Sequence, residues 1–374
     1  MLVGDDICAR AADGKRAEMS ALPLWAYPII LVASMALSMV FTPVALRIAL
    51  NHDILDHPGP AKAHTKAVPY LGGAAIALSF AVAVVVAALV RPPSSGLGQL
   101  AAIMALSLVL AAAGLADDLR GLPVWLRLLL EVGAGAAIWA MGISTHIAGF
   151  TSPVDALVTI VFVVIVTNAF NLLDNMDGLS AGVAAITSLG IFGIAAYHGE
   201  FLVAALAIAL AGCAAGFLRH NFHPASIYMG DAGSLFLGFL IAVLSLKLRD
   251  NPATRVDMAA LAALLWVALL DTALVVVTRL LNRTSPFKGG QDHTSHRLVK
   301  LGLPIKGAVG VIYAVTAILA GVGVYLSVIA GGGAGGGICG GVCGKGGVGT
   351  IALISEAAGG IVFIALLGSI RIRR

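Results

Sequence analysis

The amino-acid sequence predicts an all-α fold, a polytopic transmembrane helical bundle of about 11 spans. Three observations carry this reading. Of 374 residues, 59% are hydrophobic and 11% are charged, whereas a soluble domain carries about 25% charged residues. The mean hydropathy is +0.99. The apolar residues fall into long runs, and a spanning helix needs about 20 of them. Lipid cannot satisfy backbone polar groups, so such runs form helices and not open strands. A cytosolic globular enzyme, a disordered chain and a disulfide scaffold are excluded. The net charge of +4 is too small to suggest a nucleic-acid partner. Cys8, Cys213, Cys339 and Cys343 offer no second ligand pair, which argues against both a metal site and a disulfide.

The spans are predicted at 22–50, 70–90, 98–116, 124–143, 154–171, 180–197, 200–218, 234–249, 257–282, 306–331 and 349–370. Residues 1–21 are expected to be an N-terminal extracytoplasmic segment, and 22–374 a single integral-membrane domain. Asp5, Asp6, Arg10, Lys15 and Arg16 interrupt the first twenty residues, so no clean signal peptide is expected. Fifteen of the 23 Lys and Arg residues lie in or beside the odd-numbered loops and the C-terminus, against eight elsewhere. Basic residues favour the cytoplasmic side. The odd loops and the C-terminus are therefore predicted to be cytoplasmic, with the N-terminus outside.

The polar clusters all fall in odd loops, and the even loops contain nothing comparable. The first loop holds Lys62, His64, Thr65 and Lys66, followed by Pro69 and Gly72-Gly73. The third begins with Asp117-Asp118, a carboxylate pair that repels itself unless a cation or Mg²⁺ intervenes. In the fifth, Asn168, Asn171 and Asn175 follow i, i+3, i+7 and share one helical face, with Asp174 and Asp177 at further steps of three. Polar groups at the end of a span are expensive and usually functional. Their oxygens suit Mg²⁺ or sugar hydroxyls, and the calcium EF-hand spacing is missing. The seventh loop runs Tyr228-Met229-Gly230-Asp231-Ala232-Gly233-Ser234, where glycines could bring backbone close to a phosphate at a helix N-terminus or simply make a tight turn. The ninth carries His293, His296 and Arg297 among Arg279, Arg283, Lys288 and Lys300, cations suited to a substrate with several phosphates.

Other features are left without a role. The Gly331–Gly349 tract contains a stretch around Lys345 that lacks the spacing and the Ser or Thr of a P-loop. Glu131 and Glu356 lie inside predicted spans. Asp271 lies roughly 16 Å from the end of its span at 1.5 Å per residue, and is read as a buried helix contact.

Together these residues resemble the polyprenyl-phosphate N-acetylhexosaminyl-1-phosphate transferases, closest to the undecaprenyl-phosphate branch that starts O-antigen and teichoic acid linkages. The resemblance covers about residues 45–300 and rests on six pieces in order. They are His64-Thr65-Lys66…Pro69…Gly72-Gly73, Asp117-Asp118…Pro123, Asn168…Asn171…Asp174…Asp177-Gly178-Leu179, Met229-Gly230-Asp231…Gly233-Ser234, Asp271-Thr272…Arg279, and His293…His296-Arg297-Leu298. Asn175 stands where the pattern usually has glycine, and Ser295 where it usually has histidine.

The resemblance implies transfer of an N-acetylhexosamine 1-phosphate, with N-acetylglucosamine expected, from a UDP-sugar to a polyprenyl phosphate, releasing UMP. It implies Mg²⁺, or Mn²⁺, held by Asp231 and Asp118. Asp117, Asp118, His293 and His296 are the implied catalytic residues. Lys66, Asn168, Asn171, Asp174, Asp177, Tyr228 and Arg297 are the implied substrate-binding residues. The expected partners are UDP-N-acetylhexosamine, polyprenyl phosphate, membrane lipid and a second copy of the chain. The expected place is the bacterial cytoplasmic membrane, with the active site facing the cytoplasm. The sister reaction, transfer of phospho-N-acetylmuramoyl-pentapeptide, is the nearest alternative. A secondary transporter or flippase is the alternative from another class, although such proteins place their sites near the midplane between internal repeats.

Overall fold

The computed structural model describes residues 23–56, 67–93, 96–147, 152–250, 256–285 and 290–332. Their helices are α1 (Ala26–Asn51), α2 (Gly72–Val90), α3 (Leu97–Arg120), α4 (Val124–Ala140), α5 (Ser152–Leu173), α6 (Leu179–Tyr197), α7 (Phe201–Asn221), α8 (Gly230–Asp250), α9 (Met258–Leu281), α10 (Thr294–Lys300) and α11 (Ile305–Gly332). Leu55–Asp56 (β1) and Val68–Pro69 (β2) form a short antiparallel ladder between α1 and α2.

Nine of these helices are long and apolar enough to cross a membrane. The tenth, α4, has 17 residues, about 25 Å at 1.5 Å per residue, near the lower limit for a span. Ten of the predicted spans thus coincide with helices, and the protein is an all-α polytopic membrane protein. The eleventh predicted span, 349–370, lies outside the described residues, as do residues 1–21, Lys66, Lys288 and most of the glycine tract. Helix α10 falls where only a loop was expected.

Helix α8 is the axis of the bundle and is buried along most of its length. In lipid, apolar burial gives helices little reason to associate, so small residues that permit close packing decide which helices touch. A β-carbon added at Gly73 would lie 2.1 Å from the Gly233 nitrogen, and one at Gly114 would lie 2.4 Å from the Asp231 backbone. Gly233 of the seventh-loop motif therefore serves helix contact. Gly73 on α2 and Gly114 on α3 bring both helices onto the first turn of α8. On the far side of the bundle, Gly212 and Gly216 of α7 meet the backbone of α1 around Leu31 and Met35.

The face formed by the even loops carries a polar network of its own, where the sequence showed nothing comparable to the odd-loop clusters. The Arg249 guanidinium, 6% exposed, donates to the carbonyls of Thr145 at 2.6 Å and Val256 at 2.6 Å. Lys247 pairs with Asp250 at 2.6 Å and donates to Gln99 at 3.0 Å. Thr145 donates to Asp155 at 2.9 Å. This network ties α3, α5, α8 and the segment after α4. The acceptors of Arg249 are backbone carbonyls, which no residue pattern displays.

Candidate active site

At the opposite end of the helices, a cavity of about 730 Å³ opens, within the usual range for small-molecule sites. Its walls come from all five odd-numbered connections. They include Asp56 and Tyr70 from the first, Asp118 from the end of α3, Asp174 to Asp177 between α5 and α6, His223 and Tyr228 between α7 and α8, Asp231 at the start of α8, and Gln291, His296 and Lys300 between α9 and α11. The convergence expected from the alternation of polar loops is therefore present.

The acidic wall is built on the start of α8. Asp118 accepts the Asp231 amide at 2.9 Å and the Ala232 amide at 3.2 Å. These are two of the donors left free at a helix N-terminus, so a carboxylate of the chain itself occupies that anion position. Gly230, with φ +68°, allows the turn that aims them. Asp231 accepts Asn171 at 2.8 Å and Arg127 at 2.9 Å. Arg127 also pairs with Asp117 at 3.1 Å. Asp117 is further fixed by the Leu122 amide at 2.6 Å. Behind Arg127, Glu131 is fully buried on α4 and accepts a hydrogen bond from Asn168.

Asp174 follows the last residue of α5 and faces the cavity. Burial, together with Asp231, Asp118 and Asp177 nearby, pushes its carboxyl up to about 8. Asp177 accepts His223 at 2.7 Å and the Ala225 amide at 3.0 Å. Tyr228 is set against the first connection, its amide donating to Pro69 at 2.7 Å and its carbonyl accepting Gly72 at 3.0 Å. Burial and the surrounding acids push its phenol up to about 12, so it stays neutral.

Helix α10 adds His296, Val299 and Lys300 to the lining. Asp271 Oδ2 lies 2.8 Å from His293 Nδ1, and Asp271 Oδ1 accepts the Thr294 amide at 2.7 Å. Asp271 is indeed a hydrogen-bonded contact, but its partners belong to the ninth connection, which folds down into the bundle to reach it. Arg297, 1% exposed, donates to the Asp292 carbonyl at 3.0 Å and the Thr278 hydroxyl at 2.9 Å. His296 is left facing the cavity. Burial, with His293 and Lys300 nearby, lowers its pKa to about 4.

Of the residues predicted from sequence, Asp118, Asp174, Asp177, Tyr228, Asp231 and His296 line the cavity. Asn171 stands behind Asp231. Asp117, Asn168, His293 and Arg297 do not line it and are engaged with protein groups instead. The single helical stripe expected for the three asparagines breaks at Leu173, where α5 ends, so Asn175 leaves the face shared by Asn168 and Asn171. Sequence reasoning missed Arg127, counted only as a topological charge, and His223. The Arg127–Glu131 spacing of four inside an apolar run was the available signal.

A multi-pass bundle with an acid-lined cavity at one end of its helices is the setting in which the comparisons with known proteins fall. The family model described as glycosyl transferase family 4 matches residues 100–249, the stretch that supplies Asp117, Asp118, Arg127, Asn171, Asp174, Asp177 and Asp231. A Bacillus subtilis (strain 168) protein, named as a probable undecaprenyl-phosphate N-acetylglucosaminyl 1-phosphate transferase, is 30% identical over 75% of this chain and 80% of its own length. The decaprenyl-phosphate N-acetylglucosaminephosphotransferase of Mycolicibacterium smegmatis is 31% identical over 73% of this chain and 75% of its own. A phospho-N-acetylmuramoyl-pentapeptide-transferase of Moorella thermoacetica is 34% identical over 56% of this chain and 64% of its own. The chain belongs to glycosyl transferase family 4, among the polyprenyl-phosphate N-acetylhexosaminyl-1-phosphate transferases.

Proposed function

We propose that this protein transfers N-acetylglucosamine 1-phosphate from UDP-N-acetylglucosamine to a polyprenyl phosphate and releases UMP. The observation that carries the reading is the cavity itself, which sets Asp118, Asp174, Asp177 and Asp231 against His223, His296 and Lys300 at the ends of membrane helices. A lipid phosphate must be reached at a membrane surface, and a sugar nucleotide must be reached from water. The odd-loop face meets both needs, and the bias of basic residues supports a cytoplasmic orientation.

In the reaction, an oxygen of the lipid phosphate attacks the phosphorus that bears the sugar. The bond from that phosphorus to the bridging oxygen breaks, and UMP leaves with the electron pair. Both substrates are anions, so catalysis is mostly positioning and charge neutralisation. Among the described residues, no group of three or more His, Cys, Asp or Glu is placed to cage a metal. Mg²⁺ needs no such cage, because it keeps waters and uses one or two carboxylates plus substrate phosphates. Asp231, with the remaining lone pairs of Asp118, fits that demand. When bound, Mg²⁺ would supply the positive charge that lets two phosphates approach.

Arg127 holds Asp231 in place against Asp117. Asp174 is the cavity acid suited to orient the lipid phosphate, and a cation entering the cluster would favour its charged form. His296, neutral near pH 7, offers a hydrogen bond to the diphosphate, and Lys300 adds a charge. Asp177, His223 and Tyr228 form the wall suited to the nucleoside and sugar, with the Tyr228 ring as a stacking surface.

The test offers UDP-N-acetylglucosamine, UDP-N-acetylgalactosamine and UDP-N-acetylmuramoyl-pentapeptide together with one polyprenyl phosphate, and identifies the lipid-linked product by mass. The proposal expects the N-acetylglucosamine product to dominate. A dominant pentapeptide product would move the chain to the sister reaction suggested by its similarity to the Moorella thermoacetica enzyme.

A further inference from the structure

Helix α10 has seven residues, too few to hold itself in place. Asp271 ties its first residues to α9, and Arg297 ties it back to Thr278. A further bond spans 120 positions of sequence, where Ser295 Oγ donates to Asn175 Oδ1 at 2.5 Å. Asn175 also uses the other end of its amide, for Nδ2 donates to the Leu172 carbonyl at 2.9 Å. That carbonyl belongs to the last turn of α5, where helices leave acceptors free. The amide is thus fixed at both ends. Ser295 is 1% exposed, so water has little access to replace a lost partner.

The sequence neighbours of this bond give it a consequence. Asp174 precedes Asn175, and His296 follows Ser295. Both line the cavity, as does Asn175 itself, whereas Ser295 does not. We propose that Asn175 and Ser295 are a positioning pair, which anchors α10 to the connection after α5 and thereby sets where His296 grips the diphosphate of the sugar-nucleotide donor. This rests on the donor proposed above. The acidic cluster on α8 is built from separate bonds to Asp118, Asn171 and Arg127. Loss of the pair therefore loosens donor binding and leaves the chemical step largely intact.

The experiment uses full-length protein in detergent and the variants Ser295→Ala, Asn175→Ala and their double. Donor KM and kcat are measured by UMP release. Affinity for UDP-N-acetylglucosamine is measured by calorimetry without lipid phosphate. Each single variant is expected to weaken donor affinity and raise KM about 3- to 10-fold, the size of one lost hydrogen bond, with kcat within about twofold. The double variant should be no worse than the weaker single, since both remove the same bond. Ser295→Thr, which keeps the hydroxyl, should stay close to wild type. Ser295→Cys, with similar volume and a weak donor, replaces the alanine variant if that fails to fold. Effects that multiply in the double variant, a fall in kcat at constant KM, or unchanged variants on an active wild type would overturn the pairing alone. A wild type that neither binds nor consumes the donor would overturn the pairing together with the proposed function.

Discussion

Among the residues, Asp231 joins α8 to α5 through Asn171 and to α4 through Arg127 while facing the cavity, and the proposed chemistry depends on it most. Asp231→Asn keeps the shape and removes the charge. Turnover is expected to fall about 10³-fold, or roughly 4 kcal/mol of transition-state stabilisation, while membrane insertion is unchanged. Near wild-type turnover at saturating Mg²⁺ would remove Asp231 from the proposed metal site. His296 gives a second prediction, with a sign fixed by its surroundings. Its pKa of about 4 in the fold lies below the ordinary value near 6.5, so the fold favours the neutral ring. Its contribution to stability is complete above about pH 6.5 and is lost as pH falls through about 4. Thermal melting in detergent should show wild type losing more stability than His296→Gln between pH 7 and pH 5. Equal losses would mean that the ring is not held neutral.

At the scale of the element, glycines decide which helices meet, and with them where the acids stand. Gly114→Leu should displace α3 from the start of α8, separate Asp118 from the Asp231 amide and abolish activity. Gly133→Leu, on α4 with nothing within 4 Å of the added β-carbon, should change little. Size-exclusion profiles and UMP release of the two variants test this contrast. The helices were legible in the sequence because lipid demands long apolar runs, and Asp118, Asp174, Asp177 and Asp231 were legible because carboxylates at the ends of such runs are costly. What was not legible depends on contacts between distant segments. Arg127 reads as a loop charge until Asp117 and Asp231 close around it. Asp271 and His293 are separated by 22 positions, and nothing in their spacing announces a pair. Asn175 and Ser295, each an isolated departure from the family pattern, turn out to be bonded to each other.

For the whole molecule, the two ends of the bundle have different tasks. One end is stapled by Arg249 and its carbonyl acceptors, and the other holds the cavity. Single cysteines at Ser285 and at Ser94, in a chain without the native four, should label from opposite faces of intact cells, with Ser285 inside. Labelling of both from outside would contradict the proposed orientation. Phosphosugar transfer requires that the bond broken is the one between the two phosphates of the donor, so that phosphate travels with the sugar. The most direct measurement uses UDP-N-acetylglucosamine labelled at the phosphorus next to the sugar, with polyprenyl phosphate and Mg²⁺. The label is expected in the lipid product, with UMP released unlabelled. Label retained in released UDP would show that the sugar moves without its phosphate, and would rule out phosphosugar transfer.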